Sequence, residues 1–212
     1  MPKPTTRKAL AKPLGEVVFS DGTVVTAQCY KEDIPYKLYN QGIFQGAIVR
    51  IDSSYDVSFS AFGLVSKICN TSLDNIHKPS ALGLSFSELE QLQPQVYELL
   101  KKELQICLFA YKGEETINHK PSKPIMIHDI VYEVTEEEFL NLTSNEGLSN
   151  LVNVTKKHQL KPDLLVDLIS LAYKLRDKNY DYLVMAGKKL SLSFCDEVEL
   201  LVQALRQLSP TY

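Results

Sequence analysis

Long apolar runs are missing from this 212-residue chain. No stretch approaches the roughly 20 apolar residues that a membrane-crossing helix needs. The opening MPKPTTRKALAKPLGEV has no apolar centre, so it does not read as a secretory signal, and a cytoplasmic location is expected. Closely spaced cysteines are missing too. Cys29, Cys69, Cys107 and Cys195 lie 38 or more positions apart, which excludes a CxxC redox pair and a metal-ligand cluster. Three of them stand among apolar residues, so buried, reduced thiols are expected. His77, His119, His128 and His158 are separated by 42, 9 and 30 residues, and none pairs at the helical i, i+4 spacing of a zinc site. His119, His128 and Asp129 share a loop region, where solvated side chains are the plainer reading. There is no G-x-S-x-G elbow, and Cys69 with His77 is a thiol–imidazole pairing supported by proximity alone.

One stretch invites a nucleotide-loop reading. LVMAGKKLSLS, residues 183–193, holds the chain's Gly187-Lys188 dipeptide. A phosphate loop, G-x-x-x-x-G-K-[ST], needs a first glycine so that backbone amides can close on phosphate, and a hydroxyl after the lysine to bind magnesium. Tyr182 stands at the first position and Lys189 at the last. The expectation is instead that Gly187 ends a helix, with Lys188 and Lys189 beside its negative C-terminal end.

Acidic residues are absent from the first thirteen positions, which carry Lys3, Arg7, Lys8 and Lys12. Of 23 basic side chains this leaves 19 against 26 acidic ones in the rest of the chain, a poor match for a polyanion. Pro2, Pro4 and Pro13 disfavour a helix there, and residues 1–13 read as a flexible basic tail whose hold on nucleic acid is weak. Glu114-Glu115 and Glu136-Glu137-Glu138 are acidic runs whose side chains point in different directions, and a helix N-terminus accounts for the second. Asn70, Asn141 and Asn153 begin N-x-[ST] sequons that carry no weight without a secretory route.

What is present reads as an α+β protein. GEVVFSDGTVVTAQC gives two strands around Ser20-Asp21-Gly22, since Asp-Gly supplies the positive φ of a tight hairpin. FQGAIVRID and VSFSAFGLVSKIC are further strands, the second alternating through Val57, Phe59 and Ala61, with Gly63 marking a bulge or barrel corner. Ser87 and Glu90 fit a capping box, and a helix is expected from Pro94 to Lys102 with Val96, Leu99 and Leu100 buried. ELQICLFAY is a strand covered on both faces, DIVYEV a last strand, and Thr135 with Glu138 caps a helix through Leu142. Beyond Ser144 only helices are expected. PDLLVDLISLAYKLRDK places Leu164, Leu165, Leu168, Ile169, Ala172 and Leu175 on one face, and a final helix buries Val198, Leu201, Val202, Leu205 and Leu208. The fold expected is a small N-terminal β-barrel with an inserted helix over residues 14–142, then an α-helical domain over 143–212.

The order of GEVV, GIFQGAIVRI, GLVSKI, LQICLFAYKG and PSKPIMIHDIVYEVTEEEF resembles the HAS-barrel, the N-terminal β-barrel of HerA-type hexameric ATPases and rotary ATP synthases, over about 60% of the chain. The ATPase domain that follows the barrel in that family has no counterpart in the 70 residues after Leu142. The resemblance therefore implies subunit assembly and partner docking, not ATP hydrolysis. The expected function is a non-enzymatic cytosolic adaptor acting through a protein partner or as a homo-oligomer, in one form beside a separate HerA-like ATPase. A nucleic-acid-associated or small-molecule-binding barrel is the second reading. No catalytic, cofactor-binding or metal-ligating residue is expected. Calorimetric titration with magnesium-ATP should give no binding; micromolar binding lost on Lys188→Ala would overturn the rejection of a phosphate loop.

Overall fold

The computed structural model describes residues 13–31, 38–39, 42–72, 81–113, 117–118 and 123–208. Residues 1–12 of the expected tail, His77, His119, Glu114 and Glu115 lie outside the described residues.

The hairpin forms where Asp-Gly dictates. β1 (Gly15–Ser20) and β2 (Val24–Cys29) pair antiparallel around Gly22 at φ 91°. The Asp21 carboxylate accepts from the Thr23 and Val24 amides at 2.9 and 2.7 Å, and these bonds hold its pKa below the ordinary value. β3 (Ile48–Asp52) pairs with β4 (Ser60–Ser72), which pairs along its length with β5 (Leu100–Lys112). β7 (Ile130–Glu133) fits between β1 and β3, and β2 pairs with β5 from Val24↔Cys107 to Gln28↔Glu103. The order β1–β2–β5–β4–β3–β7 thus returns to β1, giving a closed six-stranded barrel of antiparallel pairs. Closure leaves no free edge around the ring. The short β6 (Ile117–Asn118) extends β5 at one side.

Val17, Val25, Ala27, Ile51, Ala61, Leu104 and Ile106 are buried. Cys107, Leu108 and Phe109 are buried as well, so β5 is covered on both faces as its composition predicts. Gly63 sits at a register shift, the bulge expected there; a Cβ on it would lie 2.2 Å from Ile106 Cγ2. Tyr39 closes one end of the barrel, its hydroxyl donating to the Ile48 carbonyl and accepting from the Ile48 amide, both at 3.0 Å.

Thr135 and Glu138 form the expected capping box of α3 (Glu136–Leu142). Glu138 also pairs with Arg50 Nη1 at 3.1 Å, while Arg50 Nε contacts Asp52 at 2.9 Å, tying the helix start to β3. α4 (Asn145–Lys157) packs on β5 and on α6 (Tyr180–Ser193). A 3₁₀ turn (Pro162–Leu165) leads into α5 (Val166–Leu175), and α7 (Val198–Leu208) covers both. One continuous apolar cluster runs from Val17 in the barrel to Leu208 in α7.

Several expectations are corrected. The capping box is Ser85 with Glu88, not Ser87 with Glu90, because SFSELE offers the motif in two registers and the earlier one fits a full helix, α1 (Phe86–Leu92), before Pro94. The helix expected over 94–102 is α2 (Pro94–Leu99) and buries nothing: Leu99 is 41% exposed, and Leu100–Lys102 already belong to β5. Gly187 does not end a helix but lies inside α6, with Lys188 and Lys189 also mid-helix. The α7 stripe is rotated: Leu201, Ala204 and Leu208 are buried, while Val198 and Val202 are exposed. Val57 is fully exposed, since β4 begins only at Ser60. Of the thiols, Cys107 is buried, Cys29 and Cys69 are half-buried, and Cys195 is exposed.

Gly46 joins barrel to helices. Its φ is +95°, its amide donates to the Val65 carbonyl at 2.8 Å, and a Cβ would stand 2.0 Å from the Leu164 carbonyl oxygen. Gly46→Ala therefore meets both backbone strain and a clash, and should cost about 2–4 kcal/mol in urea denaturation. An unchanged midpoint would show that the barrel and the 3₁₀ turn do not depend on this approach.

Candidate functional site

At one rim of the barrel three segments are drawn together by a buried carboxylate. Asp129 has no exposed surface, and its Oδ1 accepts from the Ser54 amide at 2.8 Å and the Ser54 hydroxyl at 2.6 Å, while Oδ2 accepts from the Met126 amide at 2.8 Å. The backbone completes the clasp, with the Val17 amide donating to the Asp129 carbonyl at 2.9 Å and the His128 amide to the Val17 carbonyl at 2.8 Å. Lys123 pairs with Asp56, across the same two loops. That hydrogen bond, with those from the Ser58 hydroxyl and amide, pulls the Asp56 carboxyl down to about 2, so this carboxylate stays ionised at any physiological pH.

The clasped segments carry apolar side chains outward. Tyr55 is 79% exposed, Val57 101%, Phe19 55% and Ile127 52%, with Val18 and Met126 beside them in sequence also exposed. Scattered exposed hydrophobes are normal, but a contiguous patch of several hundred Å² marks a contact surface. These six stand on segments hydrogen-bonded to one another, where Asp56 is met by Lys123 and Glu16 lies 3.6 Å from His128 Nδ1. The arrangement suits an apolar protein surface.

The residues singled out by their types are not brought together. His128 is on this rim, 74% exposed by its side chain and at φ 73°. His158 follows α4, where burial and the neighbouring Lys157 push its pKa down, and its Nε2 has no partner among the described residues. Among the described residues no group of three or more His, Cys, Asp or Glu side chains could hold a metal ion. Glu136 and Glu137 are exposed at the start of α3 and Glu138 is spent on Arg50. Asn70 is exposed at the far end of β4, Asn141 lies in α3 and Asn153 in α4. Sequence reasoning passed over Tyr55 and Met126-Ile127, placed Val57 in a strand, and weighed Asp129 only as a loop neighbour of His119 and His128. Their signal was an apolar pair in a polar, proline-containing segment, KPIMIHD, and a tyrosine and valine in a serine loop, SSYDVS.

No family model matches the chain. The lysine–tRNA ligase of Mycoplasmopsis synoviae (strain 53) is 26% identical over 141 residues, a match covering 60% of this chain and 28% of that enzyme. The chain thus spans under a third of that relative's length. No helix among the described residues is long and apolar enough to cross a membrane.

Asp129→Ala would strand three donors at the rim. It should lower stability by about 2–4 kcal/mol and raise proteolytic cleavage between residues 53 and 59. Wild-type cleavage rates and midpoint would show that the clasp does not organise the loops.

Proposed function

We propose that this chain is a non-enzymatic cytosolic adaptor that works by protein–protein contact, docking through the clasped rim of its barrel. The observation that carries this reading is the exposed apolar surface of Tyr55, Val57, Phe19 and Ile127 held on hydrogen-bonded loops. A surface prepared in this way has its ordering cost met before a partner arrives. With Asp56 met by Lys123, it suits another largely apolar surface, and a second copy of the chain supplies one. The resemblance to the HAS-barrel adds a docking role beside a separate HerA-like ATPase.

Light scattering after size-exclusion chromatography tests the reading. The wild-type chain should run above its 23.9 kDa monomer mass at micromolar concentration. The double variant Tyr55→Ser, Val57→Ser should weaken association about tenfold or more and leave the melting temperature within about 2 °C, because both side chains are exposed. A 23.9 kDa species at every concentration would overturn self-association.

A nucleic-acid-associated barrel is the second reading, favoured by the match to a ligase whose name places tRNA among what it acts on. The acidic balance outside the first thirteen residues opposes it. Micromolar binding of unfractionated tRNA that weakens steeply with salt would support this reading over the adaptor.

A further inference from the structure

Away from the rim, the barrel wall opens where β2 and β5 part. Their pairing ends at Gln28↔Glu103, while β5 continues to Leu100 against β4, with Lys102 opposite Asn70 and Lys101 opposite Thr71. The wedge between them is a cleft of about 430 Å³, within the range of small-molecule sites. A strut holds it open: Lys31 Nζ donates to the Tyr97 and Glu98 carbonyls at 3.1 and 2.8 Å, pairs with the Glu98 carboxylate at 2.9 Å, and stands 5.0 Å from the Tyr97 ring centre.

Among the described residues, charge in the cleft is nearly balanced, and the remainder is specific. Lys31 is spent on Glu98, and Lys101 is spent on Glu103 at 2.9 Å. Lys102 has no acidic partner among the described residues. Cys29 also lines the cleft, its pKa raised by burial while Lys102 pulls the other way. A thiol held protonated does not neutralise an ammonium. Tyr30, Tyr97 and Leu100 supply apolar wall, and Asn70 and Thr71 supply hydrogen-bonding groups beside Lys102.

We infer that this cleft binds a small monocarboxylate with an aromatic or short alkyl body, its carboxylate on Lys102 and its body against Tyr97 and Leu100. The one ammonium without an acidic partner among the described lining residues matches one negative charge, so a nucleoside triphosphate or a nucleic-acid strand would leave most of its charges unmet there. The inference is independent of the rim, which lies on other segments of the barrel, and stands whether or not the chain self-associates.

The test uses the full chain, which has no tryptophan to mask a naphthalene signal. Fluorescence anisotropy with 2-naphthoate should show saturable binding, and the neutral 2-naphthalenemethanol should bind about tenfold more weakly or worse. Lys102→Gln should lose about tenfold in affinity, Lys102→Arg should keep most of it, and Lys101→Gln should stay within about twofold because that lysine is already paired. Circular dichroism confirms that each variant is folded, and Tyr97→Phe, which keeps the wall, should bind like wild type. No saturable binding up to millimolar naphthoate, equal binding of the alcohol, or a Lys102→Gln variant that binds as wild type would each overturn the proposal.

Discussion

Everything in this molecule leans on β5. It is paired on one side to β4 from Leu100 to Lys112 and on the other to β2 over Glu103–Cys107, and its two faces are buried by the barrel interior and by the helices. The β2–β5 pairing is the step that turns an open sheet into a barrel. An open sheet would expose two rows of unpaired amides and carbonyls, whereas the closed ring satisfies them with its own strands. α4 can pack on β5 because Cys107, Leu108 and Phe109 make its second face apolar too. The same strand thus closes one layer and seats the next.

The proposed docking rim and ligand cleft are where this pairing stops. β5 outlasts β2 at its start, and the wedge left there is lined by lysine and tyrosine. At the rim the 53–59 and 123–129 loops lie beyond the ends of β3 and β7, and Asp129 gathers them beside β1. A buried carboxylate that accepts three hydrogen bonds fixes loops without needing apolar contacts between them, which leaves Tyr55 and Val57 free to face outward. Rigidity of the frame and exposure of the rim are in this sense one design, since docking costs less when loops are already ordered.

Features set by a few neighbouring residues were legible in the sequence. Asp21-Gly22 specifies its turn locally, Thr135 and Glu138 carry both halves of their capping box, and the doubly apolar ELQICLFAY announces a strand covered on both faces. Where two local solutions exist, the sequence does not choose: Ser85–Glu88 and Ser87–Glu90 are equivalent until the distance to Pro94 is counted. α4 was not singled out within the expected helical region, and α6 was expected to end at Gly187, for a different reason. Asn, Gly and β-branched residues give NEGLSNLVNVTKK weak intrinsic helicity, and Gly187 interrupts α6, so both owe their form to packing, through Leu148, Leu151 and Val152 in one and Tyr182, Ala186 and Leu190 in the other. The rim was illegible because an exposed Tyr or Val looks like any other until the fold shows which loops Asp129 gathers.

The claim most exposed to test is that docking uses the rim and leaves the frame untouched. Amide hydrogen exchange of the full chain, followed across a dilution series that spans its association, reads both at once. The account predicts that protection rises with concentration over residues 53–59 and 123–129 while β2 and β5 stay protected throughout. Protection gained instead along α7, around the exposed Val198 and Val202, with the rim exchanging at a constant rate, would contradict it.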